Sequence, residues 1–151
     1  MYVYRGDDFH VDADLLASMD ISGLLVEGSV EVDLLSISDI LPDFGVFCVT
    51  GDVRCAAMIC VTESTGVAIG GDLVIGTAFY ADCGNSVVQV NGDLRAKVFF
   101  NAQCSIDVRG TESTELDEGA TAEQLAMAGI PVGDDEEPDD AVERYFDKYE
   151  A

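Results

Sequence analysis

Positive charge is scarce in this chain: seven Lys and Arg stand against thirty Asp and Glu in 151 residues, a formal net charge of −23. Such a surface repels phosphates, so nucleic acid and anionic membranes are not expected as direct partners. No apolar run is long enough to span a bilayer. The opening MYVYRGDDFHVDAD lacks the basic start and apolar run of a secretory signal, so a cytoplasmic protein is expected. Histidine occurs once. With no second His or Cys ligand nearby, His10 reads as an exposed bystander beside Asp12, not a metal ligand or general base. The five cysteines are odd in number, lie among apolar neighbours and form no CxxC pair. They read as reduced core thiols, without zinc-ligand spacing. No Ser/His/Asp or Cys/His set assembles. No catalytic residue, metal or cofactor is therefore assigned.

Glycine is what the chain has in place. Five times the sequence reads branched aliphatic, any residue, Gly: at Gly28, Gly51, Gly71, Gly92 and Gly110, spaced 23, 20, 21 and 18 residues apart. The first four continue with Ser or Asp and then Val or Leu: Ser29-Val30, Asp52-Val53, Asp72-Leu73 and Asp93-Leu94. A unit of about twenty residues is too small to bury its own apolar face, so repetition at this period implies a solenoid.

Counting from each glycine tests the idea. Four residues before it stand Leu24, Phe47, Val67, Val88 and Ile106, and two before it Val26, Val49, Ile69, Val90 and Val108. Two after it stand Val30, Val53, Leu73 and Leu94, and four after it Val32, Cys55, Ile75 and Ala96. All are apolar, while the odd offsets are mostly polar. That two-residue period belongs to strands with even offsets facing inward, not to helices. The expected fold is all-β: a short single-stranded parallel β-helix (β-solenoid) of about four to five coils, with glycine where the chain bends.

Each unit carries a second apolar run: Leu35-Ser36-Ile37, Met58-Ile59-Cys60, Ala78-Phe79-Tyr80 and Phe99-Phe100. Cys83 and Cys104 lie at the same offset from their glycines and are expected to stack in adjacent coils as a thiol pair. Asp52, Asp72 and Asp93 also share one offset. They are expected to form an outward ladder whose Asp side chains hold turn amides beside the glycine, its repulsion partly offset by Arg54 and Arg95. A cation site and an acidic recognition surface are the other readings of that ladder.

Residues 1–110 form the solenoid domain, with 1–23 as an N-terminal cap or first coil. Residues 111–151 form an acidic C-terminal extension with two short helices, fourteen acids standing there against Arg144 and Lys148. The first helix is expected over Ala122 to Ala128. Thr121 and Gln124 form a capping box, Gly129 ends it, and Leu125 and Met127 act as a lid over the last coil. An exposed acidic linker, Pro131 to Asp140, follows. The last helix starts near Asp140 and sets Val142, Tyr145, Phe146 and Tyr149 on one apolar face. That face buries either on the protein's own solenoid or on a partner.

The Val-x-Gly-Asp-Leu pattern and runs such as Gly92-Asp93-Leu94-Arg95-Ala96-Lys97-Val98 resemble bacterial polymer-forming solenoids of the bactofilin type. They are closer still to small bactofilin-like β-solenoids that serve as immunity proteins of polymorphic toxin systems. The resemblance covers about residues 24–110 and transfers no catalytic residues. It implies a non-enzymatic immunity protein that binds and neutralises a basic toxin domain, or alternatively a self-assembling scaffold. The acidic charge and helical extension favour a monomer or small oligomer. The expected partner-binding residues are Asp134, Asp135, Glu136, Glu137, Asp139 and Asp140 for charge, and Tyr145, Phe146 and Tyr149 as buried anchors. A sugar-active β-helix would need an aromatic platform beside paired carboxylates, and none accompanies the ladder aspartates.

Overall fold

Apolar residues at every second position need a neighbouring coil above and below to be buried, and parallel stacking at about 4.8 Å supplies it. The computed structural model describes residues 2–5, 23–37, 45–61, 65–82, 84–102, 104–117 and 119–146. His10, most of the N-terminal cap or coil, Cys83 and Tyr149 lie outside these residues.

The chain winds as a parallel β-solenoid. One six-stranded sheet stacks β1 (Tyr2–Arg5), β2 (Gly23–Glu27), β4 (Val46–Val49), β6 (Gly66–Ile69), β8 (Val87–Val90) and β10 (Ser105–Val108). A five-stranded sheet stacks β3 (Val30–Ser36), β5 (Val53–Cys60), β7 (Leu73–Ala81), β9 (Leu94–Asn101) and β11 (Glu112–Leu116). The expected columns are present in register. Leu24, Phe47, Val67, Val88 and Ile106 form one, and Val26, Val49, Ile69, Val90 and Val108 the next. Val30, Val53, Leu73 and Leu94 form a third. All but the terminal Ile106 and Val108 are buried, and Phe79 stacks on Phe99 with ring centroids 4.7 Å apart.

The glycines serve close approach more than bending. Only Gly28 of the five has a positive φ, 135°. At Gly92 an added Cβ would lie 2.8 Å from the Gly71 carbonyl oxygen and closer still to Asp72 Oδ1; Gly71 and Gly110 face the same obstruction from the preceding coil, and Gly51 meets Ser29 Oγ and the Gly28 carbonyl. The obstructing carboxylates are the ladder aspartates. The amide of Asp72 donates to Asp52 Oδ1 (2.8 Å), that of Asp93 to Asp72 Oδ1 (2.8 Å) and that of Thr111 to Asp93 Oδ1 (2.9 Å). Ser29 Oγ starts the series by accepting from the amide of Asp52. The aspartates therefore hold turn amides, as expected, but those of the next coil. Each bond is both a turn and a link between coils.

Two expectations are corrected. Cys104 is disulfide-bonded, whereas Cys48 and Cys55 are thiols. Same-offset residues in stacked coils come within the Cα separations a disulfide spans. The expectation that all five cysteines are reduced therefore does not hold. Burial pushes the Cys55 thiol up to about 12, which keeps it protonated and inert.

The second correction concerns the lid. Helix α1 (Ala122–Met127) has the expected capping box, but its apolar cluster runs along the side of the stack, from Leu34 to Leu116 of the last coil, and is not confined to the last coil. Leu125 and Ile130 pack with Ala141, Val142 and Phe146 against Ala57, Ala78, Val98 and Phe100 on the outer flank of the five-stranded sheet. Met127, expected to share this task, is 83% exposed. Outward positions on that flank are apolar (Leu34, Ala57, Ile59, Ala78, Tyr80, Val98, Phe100), so the flank has to be covered.

Candidate protein-binding surface

The lid places the acidic extension on the side of the solenoid. Helix α2 (Pro138–Tyr145) starts two residues before the expected Asp140, because Pro138 fits the first helical position. Asp139 and Asp140 then fall in its first turn, where they face the positive end of the helix dipole. Glu137 occupies the N-cap without a side-chain capping bond.

The segment between the helices is clasped. Arg144 Nε and Nη2 donate to the two carboxylate oxygens of Glu136, each at 2.9 Å, and Nη2 also donates to the Pro131 carbonyl at 2.7 Å. The Gly133 amide adds a bond to Glu136 Oε1 at 3.1 Å. The fork geometry orients both side chains. The Arg144 hydrogen bonds, and then the Gly133 amide, hold the Glu136 carboxyl down at about 2. Glu136 is thus engaged within the lid as a fastener.

Of the aromatic anchors, Phe146 is buried against Tyr80 (ring centroids 6.5 Å) and Tyr145 is half-buried beside it. The α2 face docks on the protein's own solenoid, so Phe146 is unavailable as a partner anchor. Tyr149 lies outside the described residues.

Asp134, Asp135, Glu137, Asp139 and Asp140 remain exposed. Glu143 joins them, one turn after Asp139 and Asp140 on the same helix. Its place three residues after Asp140 marks it in the sequence as a charge on the same face. Burial first, and then Glu143, Asp82, Asp139 and Asp140, push the Tyr80 phenol above its usual range.

The ladder aspartates, by contrast, have one carboxylate oxygen committed to the next coil, and Asp93 Oδ2 also lies 3.6 Å from Arg95. Their chemistry is structural. Among the described residues no group of three or more His, Cys, Asp or Glu is arranged to hold a metal ion. No described helix is long and apolar enough to cross a membrane. The chain matches no protein-family model, no curated protein and no solved structure.

Proposed function

We propose that the protein is a non-enzymatic immunity protein that binds and neutralises a basic toxin domain through its acidic lid. The observation that carries this reading is the set of exposed carboxylates Asp134, Asp135, Glu137, Asp139 and Asp140 on a lid fixed by Leu125, Val142 and Phe146 and clasped by Arg144. Carboxylates held in place lose little freedom on binding, and a field of one sign steers a cationic partner. With Phe146 buried in the protein's own lid, charge rather than an aromatic plug provides the recognition.

The second reading, an end-to-end scaffold, draws support from β10 and β11. They end their sheets with no further described strand, and Ile106 and Val108 are only half-buried there. Glu112 opposes it. This residue occupies the column of Val30, Val53, Leu73 and Leu94, so a second copy stacked on this end would bury a carboxylate.

The test is association with the polypeptide that co-purifies from the host. A 1:1 complex is expected, blocking the partner's toxic activity. Its on-rate falls at least tenfold between 50 and 300 mM salt, and charge reversal at Asp134, Asp135 and Asp140 slows it further. A salt-independent on-rate, or concentration-dependent assemblies of the protein alone by light scattering, contradicts the reading.

A further inference from the structure

The seam between lid and solenoid is not closed along its whole length. Near the start of α2 it opens into a groove of about 420 Å³ lined by Tyr80, Phe100, Ala102, Glu137, Pro138 and Asp139. Tyr80 and Phe100 are register partners on the adjacent strands β7 and β9, so they form an aromatic floor. Glu137 at the N-cap and Asp139 in the first turn of α2, both exposed, form an acidic wall. Ala102 is small and exposed and leaves the far side open.

An aromatic floor beside two carboxylates is the chemistry of a cation site. A cation gains from the ring face and from charge-assisted hydrogen bonds at once. An anion is repelled, because Asp139 and Asp140 answer the positive end of the helix. A guanidinium suits the groove better than an ammonium, since its plane lies flat on a ring while its edge donates to carboxylates. Arg144, the cation of this part of the lid among the described residues, is turned away to Glu136 and Pro131.

We propose that this groove receives an arginine side chain of the partner protein, with Tyr80 and Phe100 beneath the guanidinium and Glu137 and Asp139 as its hydrogen-bond acceptors. The proposal rests on the acidic-lid reading and adds the point of anchorage that charge alone does not provide. Diffuse carboxylates speed the encounter, whereas a lined groove slows departure.

The probe is N-acetyl-arginine amide, titrated into the full chain and followed by NMR at the Ala102 methyl and Tyr80 ring. N-acetyl-citrulline amide, of the same shape without the charge, is the control. The arginine probe is expected to give saturable shifts at both positions, with citrulline at least tenfold weaker. The double variant Glu137→Gln/Asp139→Asn weakens arginine binding at least tenfold. Asp134→Asn/Asp135→Asn, outside the groove, changes it less than threefold. Tyr80→Leu also weakens it, and the Gln/Asn double variant keeps the test valid if that variant misfolds.

Equal binding of citrulline overturns the proposal, as does absence of binding, or equal loss in the Asp134/Asp135 variant. So does a tenfold gain in Lys148→Gln, which would mean that the chain's own lysine fills the groove. If partner binding survives the groove variants but is lost on lid charge reversal, the groove proposal fails and the acidic-lid reading stands. If the partner's on-rate ignores salt, that reading fails, whatever the arginine probe does.

Discussion

Val90 and Val108 hold the same place in successive coils, yet Val90 is fully buried and Val108 only half so. Leu94 and Glu112 are also register partners, and there an interior leucine is followed by an exposed glutamate. The inner coils and the last coil thus share a backbone path and differ in what their side chains must satisfy. An inner coil is bonded on both sides: the amide after its glycine donates to the previous coil's carboxylate, and its own aspartate accepts from the next coil's amide. The last coil is bonded on one side and ends the ladder with Thr111, whose amide donates to Asp93 Oδ1. Its sequence departs from the repeat where no further coil is to be stabilised. Outward acids Asp107 and Glu115 then guard the open edge, as edge strands commonly require.

The largest expected effect separates the two regions at glycine. In Gly92→Ala the new methyl meets the Asp72 carboxylate and the Gly71 backbone, both held between coils, and the cost is about 3 kcal/mol. In Gly110→Ala the methyl meets Asp93 and Gly92, but the last coil has no described coil beyond it and is free to shift. A cost of about 1 kcal/mol is expected there. Urea denaturation of the two variants measures both. Equal costs would mean that the inner coils are no more constrained than the last.

A smaller effect tests the ladder. Asp72→Ala leaves the partly buried Asp93 amide without its acceptor and is expected to cost about 1–2 kcal/mol, whereas Asp72→Asn keeps an acceptor oxygen and costs less than half of that. Thr111→Ala, at the end of the series, is expected to change stability by no more than about 0.5 kcal/mol. If Asn is as damaging as Ala, the inter-coil bond is not what the aspartate supplies.

The smallest effect concerns the lid clasp. Glu136 titrates at about 2 when folded against an ordinary 4.5, so its contribution is fully present above about pH 4.5 and is lost as pH falls towards 2. The difference in stability between the native chain and Glu136→Gln should therefore shrink over that interval and be flat above it. Being at the surface, the clasp contributes little in total. A difference that grows on acidification would reverse the sign and refute the assignment.

The inner columns were legible because strand alternation is local: even offsets from each glycine sufficed to place Val26, Val49, Ile69 and Val90 in one line. The glycines' reason was not legible. What collides with a methyl at Gly92 is Asp72, twenty residues away and one coil back. The aspartates' hydrogen-bond partners lie across the same gap. The lid's position had a sequence signal of its own. Alternation breaks down at Ala57-Met58-Ile59-Cys60, Ala78-Phe79-Tyr80-Ala81 and Val98-Phe99-Phe100, where both strand faces are apolar. Such runs belong to strands covered on both sides, which placed the helices along that flank and not over the last coil alone. The acidic residues were legible as charge, but not their division into Glu136, which fastens the lid, and Asp134, Asp135, Glu137, Asp139 and Asp140, which face solvent.

Residue-resolved amide hydrogen exchange tests the stacked ladder most directly. The amides of Asp72 and Asp93 should exchange only through global unfolding, with those of β10 and β11 at least a hundredfold faster. Exchange of the Asp72 and Asp93 amides at the rate of open turns, with no gradient from inner coils to the last, would contradict a solenoid held together by carboxylates reaching from coil to coil.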